Sequence, residues 1–440
     1  MKFCACVAVC FGVFMAVAQP AVESVPRQGI GNFLAKVRAG ESVTVAYLGG
    51  SITEMNGWRN LTTAWLRETY PQAKVKEVAA AIGGTGSDLG VFRVGHDALD
   101  HKPDLLFVEF ATNDGNAKAE NIVRQMEGIV RQTWRRNPKT DIVFVYTITV
   151  NSAKAYLAGE QPPAVVAMEQ VAAHYGIPSV DFGPRVAADV KAGRLVMSMK
   201  EVETAVPVET PDRDKAIAAE LAKEGKVLFA KDGVHPAMPG HGYYLESLKA
   251  AFGRLAKPKG VNHAKALAKP LRKDNLEHAK MVPITREMLT GDWSLSEEMN
   301  KNARFVGRMG PIWETKTPGA KLSFTFKGTT CRLYDLLGPD AGQVWVTVDG
   351  VRRETVQPRF DSYCTYHRMA NLWICEAKEG VHTVEIELDR NQPSRQPVAF
   401  RLKNPEAEFK TPKYDNTRFW PAALLLVGEA VLEARSDTGT

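Results

Sequence analysis

Between Val43 and Leu255 the chain alternates two hydrophobic spacings. Short, nearly unbroken apolar runs (VTVAYLG, KVKEVAAAI, DLLFVEFA, DIVFVYTIT and PSVDF) are separated by amphipathic stretches near Gly57–Thr69, Ser87–Asp100, Lys118–Arg136 and Pro163–Tyr175. Apolar runs of strand length between helices predict a parallel sheet buried on both faces. Right-handed crossovers then give a three-layer α/β/α domain. Between Arg185 and Lys231 the pattern is irregular, and AVPVETPDRD, rich in Pro and charge, predicts an insertion or lid-like loop.

After Leu255 the period changes. AKPKGVNHAKALAKPLRKDN is basic and aperiodic and predicts a linker over residues 256–290. From Gly291 the period is two. KLSFTFKG and HTVEIEL alternate apolar and polar residues, and QVWVTVDGVRRETV predicts a hairpin turning at Asp349-Gly350. Alternating strands of this kind predict an antiparallel β-sandwich, jelly-roll-like, over 291–440. The α/β domain accordingly spans 19–255.

The first residues, MKFCACVAVCFGVFMAVAQP, change the picture in one respect. One Lys, an apolar run from Phe3 to Val17 and the small residues Ala16 and Ala18 predict a secretory signal peptide over 1–18, cleaved after Ala18. The expected location is therefore secreted or periplasmic. Val9, before Cys10, departs from the small residue of a lipoprotein signal. No other run is long enough to span a bilayer. Cys331, Cys364 and Cys375 remain beyond the leader, and small buried side chains are the favoured reading over a disulfide. The formal charge of +6 is dispersed over 440 residues, which argues against nucleic acid or a membrane surface as partner. The sequence carries no signature of a particular oligomeric state.

Four segments fall at expected carboxyl ends of strands, where open α/β sheets bind ligands. The first is YLGGSIT, with Ser51 just past the first strand; alone, the helix cap is its favoured reading. It is not a G-x-S-x-G elbow, because Thr53 occupies the last position. The second is AAIGGTGSDLG. It fails as G-x-G-x-x-G at Leu89 and lacks the Lys-Ser/Thr of a phosphate loop, so nucleotide binding is not expected. The third, EFATND, supplies the amide of Asn113 and the carboxylate of Asp114. The fourth, FAKDGVHPAMPGHGYY, sets Asp232 three residues before His235, a spacing that lets the carboxylate orient the imidazole. His241 is a rival base without a carboxylate at useful spacing. Together these residues meet the needs of nucleophilic acyl chemistry: a nucleophile, a base, its orienting group and oxyanion donors.

In this order the four segments resemble the SGNH, or GDSL-type, hydrolase superfamily. GGSIT, AIGGTGSDLG, ATND and DGVHP match its four blocks, with Gly50, Ala79 and Ala111 departing from the usual spelling. The resemblance implies Ser51, His235 and Asp232 as catalytic triad. It implies Ser51 N–H, Gly84 N–H and the Asn113 amide as oxyanion hole, with no metal or cofactor. FTFKGTTCRLYDLLGPDAGQVWVTVDG is similar to modules attached to secreted bacterial SGNH carbohydrate esterases. The expected function is therefore removal of O-acetyl or other small acyl groups from an acylated polysaccharide or glycan, with Trp58, Arg93 and Asp114 as candidate substrate contacts. For Trp58 and Phe92 core packing is the favoured reading, and Arg93 and Asp114 read equally as surface or turn residues. The same triad would serve a lipid esterase or lysophospholipase, or a glycan O-acyltransferase. An inactive α/β domain would instead make the chain a glycan-binding protein.

Overall fold

The computed structural model describes residues 20–202, 206, 210, 212–257 and 259–431. The expected signal peptide, with its cleavage site and Cys4, Cys6 and Cys10, lies outside the described residues. So does part of the AVPVETPDRD insertion.

The first module holds a six-stranded sheet. Its strands are β1 (Ser24–Val25), β2 (Ser42–Gly49), β3 (Lys74–Ala81), β4 (Leu105–Glu109), β5 (Asp141–Tyr146) and β6 (Ser179–Asp181), in the order β1-β6-β5-β4-β2-β3. All neighbours pair in parallel except β1, which lies antiparallel on β6. The expected parallel sheet is therefore mixed, closed at one edge by a two-residue strand too short to carry a periodic signal. Helices α1 (Gly31–Arg38), α2 (Ser51–Glu54), α3 (Trp58–Thr69), α4 (Ser87–Asp97), α5 (Ala119–Arg136), α6 (Val150–Leu157) and α7 (Pro163–Tyr175) follow the strands in turn. Phe33, Leu34, Trp58 and Leu66 bury one face of the sheet, while Phe92, Ile129, Trp134 and Met168 bury the other.

The chain passes from β2 outward to β3 and then crosses back to β4, on the other side of β2. The carboxyl end of β2 is thus the point where strand order reverses, the usual ligand crevice of such sheets. Ser51 stands there.

The second module is an antiparallel sheet of eight strands. Its frame is Gln343–Val348, Arg368–Leu388, Lys321–Leu337, Pro421–Val431 and Ala279–Pro283, paired in that order. The strands are joined in one hydrogen-bonded ladder, because the two longest strands run through both halves of the module. Both partners of Lys321–Leu337 shift register between Gly328 and Thr330, where bulges bend a sheet. Phe324, Phe326, Leu333, Ile386 and Leu424 form its apolar interior. The hairpin turns at Asp349 and Gly350, both at positive φ (50° and 78°), as a two-residue primed turn requires. Cys331, Cys364 and Cys375 are buried free thiols.

The two modules share a core. Phe305, Met309, Tyr334, Leu336 and Trp420 pack in one apolar cluster with Leu89, Val91 and Phe92 of α4. The basic segment after Leu255 is fastened down. His263 stacks on Trp134 at 4.3 Å, and Glu127 accepts the backbone N–H groups of Leu271 and Arg272 (2.6 and 2.9 Å). Ala279–Pro283 already belongs to the second sheet.

Candidate active site

Ser51 opens α2, a single helical turn entered from extended Gly50. Its Oγ lies 2.8 Å from His235 Nε2, and His235 Nδ1 lies 2.7 Å from Asp232 Oδ2. The three residues expected from the four segments therefore form one hydrogen-bonded chain across 184 positions of sequence. Local chemistry fixes the Asp-His turn. Asp232 Oδ1 accepts the N–H groups of Val234 (2.9 Å) and His235 (2.8 Å), and Gly233 is at positive φ. Gly233 O accepts Val150 N–H at 2.8 Å, which ties the turn to α6. Burial would raise the Asp232 carboxyl. The His235 ring and the two backbone N–H groups outweigh it and hold Asp232 below the usual carboxylate range. Asp232 thus stays ionised, as the orienting partner of an imidazole must.

Gly50 lets the third segment close on the nucleophile. A Cβ built there would lie 1.9 Å from Asn113 Oδ1, so only glycine allows the Asn113 amide to press against the Gly50-Ser51 turn. Gly84 is exposed, with φ 73° and nothing within 4 Å of a Cβ position. A cavity of about 370 Å³ opens beside it, between Gly84, Thr85 and Asp88 on one side and Arg359, Arg368 and Asn371 of the second module on the other. Arg332 and Asn371 of the second module both donate to Asp88 Oδ2 (2.8 and 3.3 Å).

Three expected substrate contacts are corrected. Trp58 is buried, its Nε1 donating to Thr53 Oγ1 at 3.2 Å and its ring packed on Tyr47, Phe107 and Phe182. Arg93 is fully buried and donates to Asp97 (2.8 Å) and to the carbonyls of Gly49 (2.9 Å) and Ala80. Its guanidinium ties the ends of β2 and β3 together and cannot reach solvent. Asp114 is buried and accepts Ser87 N–H at 3.0 Å, at the start of α4. All three support the site from beneath. Phe92 is core as well. His241, the rival base, is completely buried. Its Nδ1 accepts Trp58 N–H at 3.2 Å, and burial with the nearby His235 lowers its pKa to about 4.

Two groups carried no distinctive motif. Glu109 ends β4 inside an apolar run and is buried, accepting the hydroxyls of Thr53 and Thr147 at 2.8 Å each. Burial pushes its carboxyl up, while Thr147, Thr53 and the backbone of Gly50 pull it down. A lone acid in LLFVE was the available signal. Glu54, at the end of α2, accepts Gly83 N–H at 2.8 Å. Among the described residues no group of three or more His, Cys, Asp or Glu side chains is arranged to hold a metal ion. No described helix is long and apolar enough to cross a membrane.

A serine, histidine and aspartate so linked at the strand-reversal point of an α/β sheet define a site of the serine-hydrolase class. Residues 40–243, the α/β module, match the GDSL-like lipase/acylhydrolase family. In fold the whole chain is similar to crystal structures of a two-domain esterase, CEX, active on acetylated mannans. With mannopentaose present, the TM-score is 0.67 at 19% identity, over 94% of this chain and 98% of that one. In the structure without it, the TM-score is again 0.67 at 19% identity, over 92% and 98%. No curated protein is a significant match to the chain.

Proposed function

We propose that the protein is a secreted serine esterase that removes O-acetyl or similarly small acyl groups from a polysaccharide or glycan. The observation that carries the ester chemistry is the continuous Ser51–His235–Asp232 chain. In the proposed reaction His235 Nε2 takes the Ser51 proton as Oγ attacks the ester carbonyl. Asp232 stabilises the imidazolium that forms. Ser51 N–H, Gly84 N–H and the Asn113 amide hold the oxyanion, such donors being worth ~3 kcal/mol each in related chemistry. Collapse of the tetrahedral adduct expels the sugar alkoxide, which takes the proton from His235. Water, deprotonated by His235, then releases the acid and restores Ser51.

The polar cavity beside Gly84 supports a glycan over a lipid substrate. Its walls carry guanidinium, carboxylate and amide groups suited to hydroxyls, where an acyl channel would be apolar. Likeness in fold to the acetyl-mannan esterase directs the choice of substrates. The test is acetate release from acetylated mannans, xylans and other glycans, set beside aryl esters of increasing chain length. The proposal expects release from at least one glycan and aryl ester rates that fall as the acyl chain lengthens. Rates that rise with chain length, with no acetate released from any glycan, would overturn it in favour of a lipid esterase.

A further inference from the structure

We propose that Glu54 is a positioning residue for the oxyanion loop, and that Arg304 of the second module acts through it. The inference rests on the ester-hydrolase reading of Ser51.

α2 has only four residues, so Ser51 and Glu54 stand at the two ends of one turn. Glu54 Oε2 accepts Gly83 N–H at 2.8 Å, across to the loop that presents Gly84. Gly83 lies against both groups: a Cβ built there would sit 2.8 Å from Glu54 Oε2 and 3.6 Å from Ser51 Cβ. The turn bearing the nucleophile thus grips the peptide that leads into Gly84. The last carbonyls of α2 are also occupied, as Arg59 donates to Thr53 O (2.9 Å) and Glu54 O (3.3 Å). The turn is fixed, and the carboxylate is aimed at one N–H of the loop.

That carboxylate has a partner from outside the α/β module. Arg304 Nη2 lies 3.1 Å from Glu54 Oε1 and 3.3 Å from Oε2. Arg304 belongs to the short helix Ala303–Met309, whose Phe305 and Met309 are buried in the core shared by the two modules. Asn302 caps that helix by accepting Arg304 N–H at 3.0 Å. Arg308, one turn on, donates to Ala79 O at the end of β3. The helix is therefore anchored on the α/β module, and Arg304 holds Glu54 from a fixed base. Because Gly84 is left-handed and nothing lies within 4 Å of a Cβ built on it, the orientation of its N–H depends on what fixes Gly83. A preorganised donor contributes to the transition state and little to binding of the ground state, so the effect belongs in kcat.

The experiment measures kcat and KM for an aryl acetate, a substrate too small to need the second module, together with thermal midpoints. Four variants are compared: Glu54→Ala, Glu54→Gln, Arg304→Ala and Glu54→Ala/Arg304→Ala. Glu54→Ala should lower kcat by about tenfold, less than the loss of a whole oxyanion donor, with KM within twofold. Glu54→Gln keeps an acceptor for Gly83 N–H and should recover most of the rate. Arg304→Ala should cost about threefold in the wild type and nothing further in the Glu54→Ala background, the non-additivity of a residue acting through another. Wild-type kcat in Glu54→Ala, an effect confined to KM, or full additivity of the two substitutions would overturn the proposal. Failure of the ester-hydrolase reading is separate: the wild-type protein itself would show no hydrolysis dependent on Ser51.

Discussion

The Asp114 carboxylate accepts the backbone N–H of Ser87 at 3.0 Å, linking the loop after β4 to the first turn of α4 and so to the end of the glycine loop. Its Oδ2 is buried without a partner. Burial therefore raises the pKa from 3.8 to about 7. The Ser87 contacts pull against that rise, and the charges of Asp88 and Glu109 add to it. A carboxyl that binds its proton more tightly when folded stabilises the protein below pH 4. That stability is lost as pH rises through 7. Asp114→Asn keeps the acceptor for Ser87 and cannot ionise. Denaturant unfolding should show the variant more stable than wild type at pH 8 by a few kcal/mol, each tenfold in proton affinity being worth about 1.4 kcal/mol. The gap should close toward pH 4.

His241 gives the opposite slope. Its folded pKa of about 4 lies below the ordinary 6.5, so the unfolded chain binds the proton more readily. Stability should fall as pH drops from 6.5 toward 4 and be level above. His241→Asn should flatten this acid limb. Hydrolysis by the variant at pH 8 should persist, because His235 and not His241 faces Ser51.

Arg93 is a framework residue. Its ion pair with Asp97 is wholly buried, so Arg93→Ala removes the buried partner of Asp97 and leaves that carboxylate only His96 (2.9 Å) and the more distant Arg308 (3.7 Å). Removing one partner of a buried pair typically costs ~3–5 kcal/mol. The loss should appear as a lowered unfolding midpoint in denaturant. A substrate contact would instead raise KM and leave the midpoint in place.

The five parallel strands of the six-stranded sheet and the four longest helices of the first 175 residues were legible because each carries a mostly apolar run or a full amphipathic period. Ser51, Asn113, Asp232 and His235 were legible as short motifs at strand ends. Ser24–Val25 was not, since two residues have no period. Trp58, Arg93 and Asp114 misled for a common reason. A sequence places them near the nucleophile but gives no sign of which side of the strand end they occupy, and all three lie beneath it. The grip of Glu54 on Gly83 and Arg304 was hidden because both partners are distant in sequence, one of them by 250 positions. The antiparallel second module was legible because period-two strands report one buried face.

The account turns on Ser51. Its central test is the steady-state hydrolysis of an aryl acetate by Ser51→Ala, with thermal midpoint as the control for folding. Loss of the nucleophile should lower kcat by ~10⁴-fold or more, as in other serine hydrolases, at an unchanged midpoint. Turnover at the wild-type rate by a folded Ser51→Ala protein would contradict the account.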